Sequence, residues 1–162
     1  MLRVYKNQNT HITKLDLSEI KLRLVNEDDI LALYEMLREF REIPNACIHE
    51  RPLPLYEDSK KYVMKYLYDN ENHELDKWYI VTNTEGTTLG TVNITNKNYI
   101  NYQILLAYQG KSIGTRAVNL LIKENPRERY FASIHQKNEK SQNLSKKLGF
   151  KPKGIIFEKI MD

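Results

Sequence analysis

Cysteine is nearly absent from this 162-residue chain; the single Cys47 allows neither an internal disulfide framework nor a cysteine-rich zinc site. Long apolar runs are missing too. The longest uncharged stretches, such as Ile100 to Gly110, fall well short of the roughly 20 apolar residues of a membrane-spanning helix. No leader in the order basic, apolar, small-residue opens the sequence, so neither secretion nor organelle import is indicated. A reducing, cytoplasmic setting is expected, with no membrane partner. Basic residues are scattered, no denser than the pairs Lys60-Lys61 and Lys146-Lys147, which argues against a nucleic-acid-binding arm. No repeat of fixed period, low-complexity tract or linker divides the chain.

What is present fits one domain over residues 1–162, with residues 1–18 as an extension of unclear structure. Apolar residues make up 41% and charged residues 28%, enough for a core and too apolar for global disorder. The formal charge of +4 suits a polyanionic ligand, whether phosphates on a small molecule or a nucleic acid.

Near the start, Leu2, Val4 and Tyr5 suit a short strand and Asn7-Gln8-Asn9 a turn. Ile20, Leu22 and Leu24 alternate with Lys21 and Arg23, a period of two that predicts a strand. Asn26 followed by Glu27, Asp28 and Asp29 supplies a cap and an acidic first turn. Ile30, Leu33, Tyr34, Leu37 and Phe40 then recur at helical spacing. After a loop holding Pro44, Pro52 and Pro54, a second helix carries Tyr62, Val63, Tyr66 and Leu67 on one face. Strands are expected at Trp78 to Thr82, Leu89 to Ile94 and Tyr99 to about Ala107, the last losing its alternation at Leu105-Leu106-Ala107. A helix (Ile113 to Lys123), a strand (Arg129 to Ile134), a helix (Glu139 to Leu148) and a strand (Gly154 to Ile160) complete the order. This is an α/β (α+β) domain: a mixed, mostly antiparallel central sheet flanked by helices.

Chemistry concentrates in Tyr108-Gln109-Gly110-Lys111-Ser112-Ile113-Gly114-Thr115, at a strand-to-helix junction. Small residues let the backbone turn and approach a ligand, and the free N–H groups and positive dipole end of the following helix attract an anion. Lys111 adds a charge, and Arg116 is a second candidate. One reading is a turn whose glycines serve sterics only. A nucleoside-triphosphate loop is rejected: it requires glycine five residues before Gly110, where Leu105 stands. The third is a resemblance. Gln109-x-x-Ser112-x-Gly114 is similar to the acetyl-CoA pyrophosphate loop of the GNAT superfamily of N-acetyltransferases, with Ser112 where glycine is usual. Asn138, 24 residues after Gly114, opens the run Asn-x-x-Ser-x-x-Leu followed by Lys-Leu-Gly-Phe, which resembles the second signature of that superfamily, in its RimJ/RimL-like branch. The same run also has an ordinary explanation: Asn138 as N-cap, Ser141, Leu144, Ser145 and Leu148 as a helical stripe, and Gly149 as a stop.

The resemblance covers about Ile20 to Ile160. It implies a GNAT-like fold, acetyl-CoA as co-substrate, and transfer of an acetyl group to a primary amine. The acceptor would be a protein N-terminus or a small amine, attacked directly without an acyl-enzyme. It also assigns Leu105, Leu106 and Ala107 to the pantetheine arm, Gln109, Gly110, Lys111, Ser112, Ile113, Gly114 and Thr115 to the pyrophosphate, and Asn138 to a further contact. Relatives carry a tyrosine acid seven residues after that asparagine, and Ser145 stands here. Ser145, Ser141 and His135 are therefore the candidate catalytic residues, His135 as a base because its ordinary pKa suits the work. Cys47 has no activating partner nearby in sequence; His11, His49 and His73 are isolated, so no metal is expected. Acidic residues near the first two helices, Glu39, Glu42, Glu50 and Glu57, would suit an amine or be merely solvated. A catalytically silent module of the same fold, binding CoA or a protein partner, is the alternative function. The assembly expected is a monomer or homodimer. Gly114→Glu is expected to block the diphosphate while sparing the fold.

Overall fold

The computed structural model describes residues 16–44, 46, 53–69 and 73–154. The expectations for Leu2, Val4, Tyr5, Asn7 to Asn9, His11, Cys47, His49, Glu50 and most of the final strand lie outside those residues. Four strands, β1 (Ile20–Leu24), β2 (Leu75–Asn83), β3 (Thr88–Thr95) and β4 (Ile100–Ile104), form an antiparallel sheet in that order. Helices α1 (Ile30–Arg41) and α2 (Tyr56–Tyr68) precede β2, and α3 (Ile113–Glu124) and α4 (Glu139–Lys147) follow β4. Among the described residues no helix is long and apolar enough to cross a membrane.

Helices cover both faces of the sheet, so the central strands read as continuous apolar runs rather than clean alternations. In β2, Trp78 and Ile80 pack with Ile30, Leu33, Met36, Val63 and Tyr66 of α1 and α2. Their neighbours Tyr79 and Val81 point the other way, to Ile113, Ala117, Val118 and Leu121 of α3. The entry to α1 follows the sequence closely. Asn26 Oδ1 accepts the Asp28 N–H at 3.0 Å, while the Asp29 carboxylate accepts the Asn26 N–H at 2.9 Å and a two-pronged contact from Arg23 at 2.9 and 2.7 Å. Gly90 lets β3 approach β4, because a Cβ there would collide with the Gln103 carbonyl oxygen.

Two expected features change. Strand β4 ends at Ile104, and Leu106–Tyr108 form a short 3-10 turn where the alternation failed. Among the described residues, the strand expected over Arg129 to Ile134 makes only one parallel bridge, Tyr99 with Phe131. Ile100 N–H donates to the Phe131 carbonyl at 2.8 Å and Phe131 N–H to the Asn98 carbonyl at 2.9 Å, and among the described residues no ladder continues from there. Tyr130 is turned toward the end of α3, its hydroxyl donating to the Asn125 carbonyl at 2.9 Å, which draws this stretch away from β4. The sheet therefore opens beyond Ile100, and that gap is where a ligand can enter.

Candidate functional site

A cleft of about 1530 Å³ occupies the gap. Its floor is β4, one wall is Ala132, Ser133 and Ile134, and the first turns of α3 and α4 close one end. Across from them, α1 contributes Leu33, Tyr34, Leu37 and Phe40. The rim near α4 carries Lys137, Lys140 and Lys147.

The turn into α3 has the geometry an anion seat requires. Gly110 has φ of +75° and Ser112 sits in the left-handed region at φ 59°, ψ 14°, uncommon for serine. Two positive φ values in three residues turn the chain sharply, and open space lies where a Cβ on Gly110 would be. The Ser112 side chain makes no capping hydrogen bond. The leading N–H groups of Ile113, Gly114 and Thr115 thus have no partner within the helix, and the helix dipole adds to their pull on an anion. Lys111 folds back on the same turn, its Nζ donating to the Ala107 carbonyl at 3.2 Å and lying 5.7 Å from the centre of the Tyr108 ring. Arg116 is directed elsewhere: its guanidinium donates to the Ser18 carbonyl at 3.0 Å.

Several expected contact residues have structural partners instead of open ends. Gln109 Nε2 donates to the Ile104 carbonyl at 3.0 Å, locking the turn to the end of β4. Leu105 N–H donates to the Leu89 carbonyl at 3.0 Å, and Leu106 N–H to Glu39 Oε1 of α1 at 3.0 Å. Leu106 and Ala107 are exposed, whereas Ile113 is buried and belongs to the core. Gly114 is buried as well: a Cβ there would stand 2.9 Å from Leu144 Cδ1 and 3.4 Å from Tyr102 Cε2. Gly114→Glu would therefore drive a charge between α3 and α4 and damage the fold, so that substitution cannot isolate ligand binding.

On α4, Asn138 Oδ1 accepts the Ser141 N–H at 3.1 Å, the expected N-cap, and this fixes the Asn138 side chain at the cleft. Ser141 lines the cleft, and its Oγ accepts the Tyr102 hydroxyl at 2.9 Å. Burial pushes the Tyr102 phenol above its ordinary pKa, so it stays protonated through the neutral range. Ser145 does not join them; it is buried among Val118, Leu148 and Phe150. His135 also stays out of the lining: its Nδ1 accepts the Lys137 N–H at 3.1 Å and its carbonyl the Asn138 N–H at 2.9 Å, both turn contacts. Sequence reasoning missed Tyr102, although its alternation with Ile100 and Ile104 marks it as facing α3. His73 is buried with its Nδ1 accepting the Leu75 N–H at 3.0 Å, packed edge-on to Tyr62 and Tyr66. Among the described residues, no group of three or more His, Cys, Asp or Glu side chains is placed to hold a metal.

The arrangement offers an anion seat, a hydroxyl pair on the cleft wall and a long groove between them and α1. Comparison with known proteins places the fold. A family model described as an acetyltransferase (GNAT) domain matches residues 19–151. No curated protein matches the sequence. Among solved structures, spermidine N-acetyltransferase from Vibrio cholerae, in complex with CoA and spermine, is similar at TM-score 0.72 and 18% identity, over 89% of this chain and 88% of that one. The ribosomal-protein-S5-alanine acetyltransferase of Vibrio fischeri aligns at TM-score 0.66 and 22% identity, over 86% and 84% of the two chains. RimL, a ribosomal L7/L12 alpha-N-protein acetyltransferase in complex with coenzyme A, aligns at 0.66 and 17%, over 83% and 81%.

Proposed function

Because the chain belongs to the GNAT acetyltransferase family, we propose that it transfers an acetyl group from acetyl-CoA to a primary amine by direct attack, with a protein N-terminus or a small amine as acceptor. The observation that carries this reading is the strained turn Gly110 to Ser112 opening an uncapped helix directly onto the cleft. A serine in the left-handed region is uncommon, and such strain is met where a backbone holds its N–H groups toward a ligand.

The residues present fit acetyl-CoA. Ile113, Gly114 and Thr115 would hold its diphosphate through backbone N–H groups, with Lys111 and the α4 lysines adding charge at the rim. Asn138 and the end of β4 would bind the pantetheine arm, so that the activated thioester, the chemistry the co-substrate supplies, lies in the groove facing α1. The acceptor must arrive or become neutral, since a lysine side chain ordinarily titrates near about 10.4 and an N-terminal amine near about 8. Holding both reactants in one groove supplies much of the acceleration in such transfers. Tyr102, kept protonated, serves the departing sulfur either by giving up its bond to Ser141 or through the Ser141 hydroxyl that it orients; the sulfur's free thiol is ordinarily near 8.5. Tyr102 takes over the role for which the sequence suggested Ser145.

Calorimetry with acetyl-CoA followed by a thiol-release screen over peptides and amines tests the proposal. Binding together with thiol release dependent on an amine is the expected result. Binding with no release from any amine would favour the silent module, and no binding would overturn the assignment.

A further inference from the structure

Register sets which side chains share the face of the sheet beneath α1 and α2. Trp78 packs with those helices and stands opposite Asn93, which stands opposite Asn101. Cross-strand partners project to one face, so both asparagines lie on the α1 and α2 side, whereas Tyr102 next to Asn101 faces α3. Both also line the cleft, Asn93 half-buried and Asn101 exposed. Asparagine is depleted in strands, yet here two of them face each other across β3 and β4. Asn101 Nδ2 donates to Asn93 Oδ1 at 2.9 Å. That bond leaves open the Asn93 NH2 and the Asn101 carbonyl oxygen; exchanging the roles of the two amides would present the same outward donor and acceptor. Polar neighbours on this floor are already engaged. Thr91 Oγ accepts Trp78 Nε1 and donates to the Tyr79 carbonyl, both at 2.8 Å, and the Gln103 amide donates to the Met36 carbonyl. Charge along the cleft is sparse in carboxylates: among the described residues Asp58 and Glu139 stand against Arg41, Lys137, Lys140 and Lys147.

Resting on the acetyl-transfer reading above, we propose that the Asn93–Asn101 pair recognises the backbone of a peptide acceptor, so that the substrate is a peptide or protein N-terminus rather than a polyamine. In an extended peptide the N–H and C=O of one residue point to the same side. A paired NH2 and carbonyl on the cleft floor complement those two groups on the acceptor's second residue, and the first residue then carries its amine onward to the thioester. A polyamine makes the opposite demand. It is cationic along its length and needs carboxylates spaced along the groove to replace the water it loses. The strands supply neutral amides there instead, which satisfy a peptide backbone and leave a second ammonium group unpaired.

Thiol-release kinetics on wild type and on the double variant Asn93→Ala, Asn101→Ala test this. The acceptors are tripeptide amides varied at the first residue, the best of them remade with an ester in place of its first peptide bond, and spermidine. The ester lacks the N–H of the second residue, so wild type should use it with kcat/KM roughly five- to tenfold below the peptide, the scale of one hydrogen bond. In the double variant the peptide should fall to within about twofold of the ester, because the partner of that N–H is gone. CoA affinity by calorimetry should be the same in both proteins, and spermidine should be a poorer acceptor than the peptide. Equal use of peptide and ester by wild type, a peptide preference kept by the double variant, or spermidine preferred to every peptide overturns the proposal and leaves acetyl transfer standing. If the double variant does not bind CoA, the wild-type comparison of peptide with ester decides alone. Thiol release from no amine, or no binding of CoA by wild type, overturns the transfer reading and this proposal with it.

Discussion

Ser112→Asp sets helix stability against ligand binding, because one charge acts on them in opposite directions. Ser112 is exposed, begins α3 with φ 59°, and makes no cap of its own. Aspartate tolerates the left-handed region better than most residues, and a negative charge at a helix N-terminus stabilises by about 0.3–1 kcal/mol. A domain of this size should therefore gain roughly 1–3 °C in melting temperature. A diphosphate on the same N–H groups would instead meet a like charge a few ångströms away. Two unit charges 4 Å apart repel by about 1 kcal/mol in bulk water and about 4 kcal/mol near a protein surface. With about two charges on the ligand, a low-end penalty is about 2 kcal/mol, or roughly 30-fold in affinity. Ser112→Asn is the control: similar in size, equally at ease at positive φ, and neutral, it should bind CoA within about threefold of wild type. Thermal unfolding and CoA calorimetry on the three proteins give both readouts. A folded Ser112→Asp protein that binds CoA within threefold of wild type, or an Asn variant that loses as much as the Asp variant, would refute the anion seat and leave a turn whose small residues serve sterics alone.

Tyr102→Phe should lower kcat at least about tenfold while CoA affinity stays within about threefold, because the phenol donates to Ser141 and packs without itself holding the diphosphate; unchanged kcat would remove it from the chemistry. His73 predicts a pH effect on stability. Burial depresses its folded pKa, so below the ordinary value of about 6.5 the unfolded chain binds the proton first and stability falls with pH. His73→Asn should flatten the slope of unfolding free energy between pH 7 and pH 5, and an identical slope in both proteins would contradict this. Asp29→Asn loses the charge-assisted contacts to Arg23 and should cost about 1–2 kcal/mol in urea unfolding, reduced from the buried-pair value because Arg23 is partly exposed. CoA affinity should not change; a change would mean that the β1–α1 corner reaches the cleft.

Elements whose register is written in local periodicity are the ones legible in the sequence. The alternation of Ile20, Leu22 and Leu24 gives β1, and Asn26 with its acidic followers gives a capped turn, which is 3-10 over Glu27–Asp29 and leads into α1 at Ile30. Arg129 to Ile134 carries strand-like residues too, but strand pairing depends on what lies opposite, and after Phe131 no neighbour among the described residues continues the ladder. The same limit applies in the site. Gly110 and Gly114 signal a tight junction, yet only the fold reveals that Gly110 faces open space while Gly114 is pinned beneath Leu144. The stripe of Ser141, Leu144, Ser145 and Leu148 reads as one helical face; since that face packs on the core, Ser145 is buried and has no opening to the cleft. No local pattern could bring Glu39 to Leu106, because that contact depends on how α1 packs across the finished sheet.

A crystal structure of the protein with coenzyme A bound is the most direct measurement of the central claim. It should place diphosphate oxygens within about 2.7–3.2 Å of the backbone nitrogens of Ile113, Gly114 or Thr115, with the pantetheine arm running between the end of β4 and Ala132 to Ile134. Coenzyme bound elsewhere, or a complex in which those nitrogens are covered by the protein's own side chains, would contradict the account.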